Sequence, residues 1–316
     1  MKKILGCILL LMLLFLSSVQ AQNPVRGISF DASVAMGYSS LGHKTSSSAY
    51  PGLEASHVGD YGASAYIGAN IFFTHVFGLS LGCGFSRYGG AVKLSGKQTW
   101  QGVTDTDGEL YNHTFSLYRW RERQQQLFLS PQFLLLFAIP ANMVRVQIGV
   151  GAEYDICLRA FYRASGDLEH TGTYLPWNLT LHDVDTHGFY RNKSFRPHGT
   201  LPDGGKYVSV VAKVGVLLPL ARNLDLSLNL VGKYAVYADS KTAVQAGGNL
   251  PVGFREDAES ISAEAVRAHA FMSQYASLFQ TGMVRGSYCP LFVGMEVGIR
   301  YTIPFRKHYP CRCIAN

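Results

Sequence analysis

Ten charged residues stand where their types and spacing would let them act together: Asp31, Arg145, Glu153, Asp155, Arg159, Lys213, Asp225, Lys233, Glu296 and Arg300. Each falls on the polar parity of a stretch whose other parity is apolar. Five are acidic and five basic. Enclosed together they would cross-pair into a near-neutral network, whereas around water they would line an ion path. Two pairs, Lys233 with Glu296 and Asp31 with Arg300, fall at similar heights on stretches expected to be neighbours.

Other chemistry finds less support. A nucleophile needs a base within hydrogen-bond reach, and all ten histidines lie outside the alternating stretches. His113 and Ser116 are the nearest candidate pair. No G-x-S-x-G, phosphate-loop or dinucleotide motif stands in a suitable setting, so no catalytic residue is assigned and the chain reads as a non-enzyme. The run His182-Asp183-Val184-Asp185-Thr186-His187 gathers four possible metal ligands, but companion ligands cannot be placed. Cys311-Arg312-Cys313 is one pair where zinc sites usually show two. No metal and no cofactor is assigned.

The elements that must position the charges read as β-strands. In Val144–Ala160, every second residue from Val144 is apolar, and Arg145, Gln147, Glu153, Asp155 and Arg159 take the other parity. A period of two marks a strand with two unlike faces. Seven more stretches repeat it: Ile28–Tyr38, Ala63–Thr74, Leu79–Phe85, Gln124–Phe137, Val208–Leu218, Leu224–Val236 and Leu291–Ile303. Connections alternate between tight turns and long excursions over Ser39–Tyr61, Gly89–Arg121, Arg163–Lys206 and Asp239–Ser287. Long excursions count against a compact soluble domain, and the alternation is that of membrane barrels. The fold class expected is all-β, an eight-stranded antiparallel transmembrane barrel with long extracellular loops. Pro131 falls inside a strand, where we expect a bulge or a local loosening.

The first residues, MKKILGCILLLMLLFLSSVQAQ, have the basic start, apolar stretch and small-residue site of a secretory leader cleaved after Ala21. That leaves residues 22–305 as barrel and 306–316 as a periplasmic tail. Formal charge falls from +7 to +5 once Lys2 and Lys3 are removed, too mild and too dispersed for nucleic acid. Eight strands enclose an interior just wide enough for side chains to fill, so a plugged lumen is expected over an open pore.

The loops carry further expectations. Asp107-Gly108 is a turn dipeptide and Thr114–Arg123 keeps a partial alternation, which predicts a hairpin projecting above the membrane. Tyr174, Trp177, Phe189 and Tyr190 are candidate binding aromatics, suited to lipopolysaccharide or protein contact and equally to packing over the barrel mouth. Ile261, Ala265, Ala268, Met272, Tyr275 and Phe279 repeat at steps of four and three, predicting one amphipathic helix over Asp257–Phe279 in the last loop.

LFLSPQFLLLF (Leu127–Phe137), VGVLLPLARNLDLSLNL (Val214–Leu230) and VGIRYTIPF (Val297–Phe305) resemble strands of small outer-membrane barrels of Bacteroidetes-type bacteria, the OmpA-, OmpX- and PorT-like barrels. The likeness covers the strands, about half of the mature chain, and not the loops. It implies an outer-membrane location with lipid and lipopolysaccharide as surroundings; a protein partner at the extracellular loops is an expectation from the long loops themselves. It carries over no functional residues. Two departures stand out: no periplasmic domain follows Phe305, and an eleven-residue tail separates Phe305 from the C-terminus. The function expected is structural or adhesive binding through the loops; a narrow channel, or an accessory of a secretion system, is the alternative.

Overall fold

The structure is a computed structural model. It describes residues 27–305 apart from 43–46, 49–51, 75, 106, 142–143, 185–188, 197, 202–204, 222, 239–283 and 286–287. The expected leader, the helix over Asp257–Phe279, Cys311, Cys313 and the C-terminal tail lie outside the described residues.

Eight long strands form the body: β1 (Gly27–Ser40), β2 (Leu53–Phe72), β3 (Phe77–Thr104), β4 (Leu110–Ala141), β5 (Val144–Tyr174), β6 (Lys206–Ala221), β7 (Leu224–Ala238) and β8 (Leu291–Pro304). Each pairs antiparallel with its chain neighbours, and β8 pairs β1 to close the ring. Closure removes the sheet edges, which hydrocarbon cannot tolerate because it offers no water to satisfy them. Three short strands, Leu179–Leu181, Tyr190–Phe195 and His198–Leu201, add to the outer part of β5.

The apolar parities face outward. Val34, Met36, Ile67, Leu81, Phe133, Val150, Leu230 and Ile299 are exposed around the ring, while Ser29, Asn70, Gln132, Glu153, Lys213 and Arg300 are buried inside it. A water-soluble barrel would invert that arrangement. With its outside apolar and its inside polar, the ring is a transmembrane barrel. Tight turns sit at the end where β1 starts and β8 finishes; the long excursions leave the other end.

Two features depart from the regular pattern. Pro131 makes no bulge. It keeps its place opposite Cys83, and the β4–β5 ladder skips Ser130 and Pro131, then resumes at Gln132↔Glu153 in unchanged register. The missing amide hydrogen therefore loosens the ladder locally without bending it. The real bulge lies across from Leu127 and Phe128, which oppose Arg159 and Cys157, leaving Leu158 as the extra residue of β5. A single inserted residue turns every following side chain to the other face. Beyond it Ala160, Tyr162 and Ala164 point in, and Arg159, Phe161 and Arg163 point out.

The strands also outrun the membrane. About 9–11 tilted residues cross a bilayer, but β3, β4 and β5 have 28, 32 and 31. Their outer halves continue as a sheet. The β3–β4 hairpin ends at a turn where Gly108 has φ +85° and Asp105 Oδ1 accepts from the amides of Asp107 and Glu109. Midway up, Gly96 (φ +133°) on β3, Arg119 (φ +54°) on β4 and Gly166 (φ +156°) on β5 coincide with register shifts between all three strands. Glycine takes such angles without strain, and a bulge raises the local twist of the strand that carries it.

Candidate functional site

The lumen is filled in three layers. At the tight-turn end Phe72, Leu134, Leu136, Ala138 and Leu217 are buried. Leu134, Leu136 and Ala138 come from a stretch of β4 in which both parities are apolar, so one set meets lipid and the other joins Phe72 of β2 and Leu217 of β6 at the floor.

The middle layer is charged. Arg300 donates from Nε and Nη2 to the two carboxylate oxygens of Asp31, both at 2.7 Å. The fork and carboxylate meet face to face, a pairing that guanidinium geometry favours. Arg145 Nη2 donates to Asp225. Lys213 Nζ donates to Glu296 at 2.9 Å, and Asn229 donates to the other oxygen of the same carboxylate. Lys213 also lies over the Tyr66 ring, 4.7 Å from its centre. Lys233 Nζ donates to both oxygens of Glu153 at 2.8 Å, and Gln132 donates to Glu153 as well. Asp155 accepts from Ser130 and Ser209, each at 2.6 Å.

The expected pairing of Lys233 with Glu296 is corrected. Lys233 stands opposite Phe292 and Glu296 opposite Asn229, so the two are four strand positions apart (292 against 296). Each reaches instead across one intervening strand: β7 to β5 for Lys233–Glu153, and β6 to β8 for Lys213–Glu296. Strong curvature tilts inward side chains two strands apart toward each other. Arg159 is corrected too: expected in the lumen, it is exposed on the outer face, because the Leu158 bulge reverses its parity.

Above the charges sits an aromatic layer. Tyr88, Phe128, Tyr207 and Phe292 are buried, with ring centres of Tyr88 and Phe128 5.3 Å apart, Tyr88 and Phe292 5.9 Å, and Phe128 and Tyr207 5.8 Å. Tyr288 donates its hydroxyl to Gln124 at 2.6 Å and closes the layer. Ions would have to displace paired charges and packed rings in turn.

The projecting sheet has two unlike faces. Its inner face buries Val92, Leu94, Phe115, Leu117, Trp120 and Leu168. His113 and His170 are buried among them with ring nitrogens 2.9 Å apart. Ser116 takes the opposite parity from His113, so the one candidate nucleophile–base pair is not brought together. Near the tip, Val103, Tyr111, Tyr174 and Phe189 form a small apolar cluster. Tyr174 is thus a packing residue. Burial and the Asp105 carboxylate that accepts its hydroxyl hold its phenol well above the ordinary value. Phe189 is wholly buried against Tyr111 and His113. Trp177 remains exposed, stacked on Tyr174 with ring centres 5.6 Å apart, beside exposed Leu175 and Leu179. Tyr190 pairs by its backbone with His170.

On the outer face a row of side chains that the sequence reading missed runs across four strands: Lys97 opposite Ser116, Ser116 opposite Glu169, and Glu169 opposite Arg191. Glu169 lies 3.7 Å from Arg191 and 3.3 Å from His182, and Arg119 bonds Asp167 at 3.2 Å. Lys97, Tyr118, Arg119, Asp167, Glu169 and Arg191 line an open cleft of about 770 Å³. The available signal was an alternation running on well past membrane length. Of the run His182–His187, residues 185–187 lie outside the described residues, and no cluster of metal-ligand type occurs among the described residues.

No family model and no curated protein matches the sequence. Solved structures with a similar course include Neisserial surface protein A, at 10% identity over 88% of this chain and 99% of that one, with a TM-score of 0.30. Ail, the attachment invasion locus protein of Yersinia pestis, gives 8%, 88% and 99%, with a TM-score of 0.28. The translocator domain of the autotransporter NalP from Neisseria meningitidis gives 10% over 96% of each chain, with a TM-score of 0.20.

Proposed function

We propose that the chain is an outer-membrane surface protein whose barrel is a closed anchor and whose projecting β3–β4–β5 sheet is its binding element. The observation that carries this reading is the contrast between the two parts. Among the described residues the lumen is occupied by ion pairs and packed rings, which supports a closed barrel over a solute channel. The sheet, by contrast, rises far beyond bilayer length, is stiffened by its own apolar layer, and displays a cleft with charged side chains in its walls and an exposed Trp177. Binding residues are commonly displayed on loops and extensions held by a rigid scaffold. The secretory-type leader supports export to the outer membrane.

Removal of residues 97–116, with Gly96 and Leu117 joined by a two-residue turn, tests the division of labour. The shortened chain should still shift mobility on heating in a denaturing gel, as folded barrels do. Cells displaying the full chain should adhere to at least one member of an array of glycans and matrix proteins, and the shortened chain should lose that adhesion. Equal adhesion by both would place the binding element elsewhere.

A further inference from the structure

The bulge that turns Arg159 out of the lumen builds a second surface. On β5, Arg159 and Arg163 now face outward. The ladders set Arg159 beside Leu127, Arg163 beside Arg123, Leu127 beside Arg87, and Arg121 beside Lys93. Arg87, Lys93, Arg121, Arg123, Arg159 and Arg163 therefore occupy the same outward face of three adjacent strands. Residues of one parity repeat about every 7 Å along a strand, so the group spans several successive rows.

Its height is fixed by its neighbours. Directly below lie lipid-facing Phe85, Leu129 and Phe133. At the lowest row the Arg87 guanidinium sits 5.1 Å from the centre of the Tyr61 ring and donates to its hydroxyl, and Tyr61 stands opposite Tyr38. Aromatic residues of this kind mark the membrane–water interface. Phe161, exposed between Arg159 and Arg163, continues the interfacial character upward. Among the described residues, the carboxylate set against these cations is Asp60, mostly buried and 3.5 Å from Arg123. Glu122 points into the lumen side. The positive excess thus begins at the lipid boundary and extends through the headgroup zone.

We propose that this face is a binding site for the phosphate groups of a phosphorylated glycolipid in the outer leaflet. Five of the six cations are arginines, whose forked donors match phosphate oxygens in pairs. An occupant reaching this surface through the apolar belt below must itself be a membrane component, with acyl chains along Phe85, Leu129 and Phe133 and anionic groups above them. The proposal rests on the reading of the chain as an outer-membrane barrel.

The test compares the folded full chain with Arg121→Gln/Arg123→Gln/Arg163→Gln in phosphatidylcholine nanodiscs containing a minor fraction of diphosphorylated lipid A. Lipid retained on the protein is counted by native mass spectrometry. Wild-type protein should retain lipid A over phosphatidylcholine, with about a five-fold loss of preference per arginine removed. Arg163→Gln alone supplies the single-step reading should the triple variant fail to fold. Lipid A stripped of its phosphates should show no preference. Equal retention by wild type and variants, or undiminished retention of dephosphorylated lipid, overturns the proposal. Displacement by inorganic phosphate at equal concentration also overturns it, since the site would then take a free anion. Failure of wild-type protein to insert even into glycolipid-free bilayers would overturn the barrel reading instead, and this proposal with it.

Discussion

Glu153→Ala should destabilise the barrel by about 3–5 kcal/mol, the usual cost of leaving a buried charge without its partner. Glu153 accepts two bonds from Lys233 and one from Gln132, and its side chain is 1% exposed. Asp155 is nearby, but each of its carboxylate oxygens already accepts from a serine, Ser130 or Ser209. Urea unfolding in detergent micelles provides the measurement. The double variant Glu153→Ala/Lys233→Met should recover much of the loss, because removing both charges removes the desolvation cost of each. If the single and double variants unfold alike, the pair is not the source of the effect.

Phe292→Ala should cost a similar amount, about 3–5 kcal/mol, for a different reason. The ring is completely buried against Tyr88, so its removal leaves a cavity that closed, curved strands cannot collapse around. The distinctive expectation concerns permeability. The ion-paired layer beneath remains intact, so the variant should lose stability and still carry no current. A conducting Phe292→Ala barrel would mean that the aromatic layer alone holds the lumen shut.

Sequence pattern revealed the strands because lipid on one side and paired charges on the other impose an unbroken period of two. It revealed the β3–β4 hairpin because Asp107-Gly108 interrupts a pattern that persists on both sides. It did not reveal the Leu158 bulge. Across that residue one parity stays apolar without a break, Ile156, Leu158, Ala160, Tyr162 and Ala164, so the period of two runs on past the bulge and places Arg159 inward. It also mispaired Lys233 and Glu296. Adjacent-strand heights govern only Asp31–Arg300, which are directly opposite on β1 and β8. The other pairs skip a strand, and skipping depends on barrel curvature that no local pattern carries. The outer half of β5 was read as loop since Ser165-Gly166-Asp167 interrupts its alternation. Its strand form comes from pairing with β4, a tertiary cause. Sequence left Tyr174 and Phe189 suited equally to display and to packing, because an aromatic side chain serves either. They are packing residues because the sheet there has an inner face to bury.

A closed lumen separates a membrane anchor from a channel. Current across a planar bilayer containing the refolded chain measures that directly, under an applied voltage and over a range of salt concentrations. The filled lumen predicts no discrete openings at any salt, with insertion shown independently by the heat-dependent mobility shift. Stepwise currents scaling with salt would contradict it, and Asp31, Glu153, Lys213, Lys233, Glu296 and Arg300 would then line a water path.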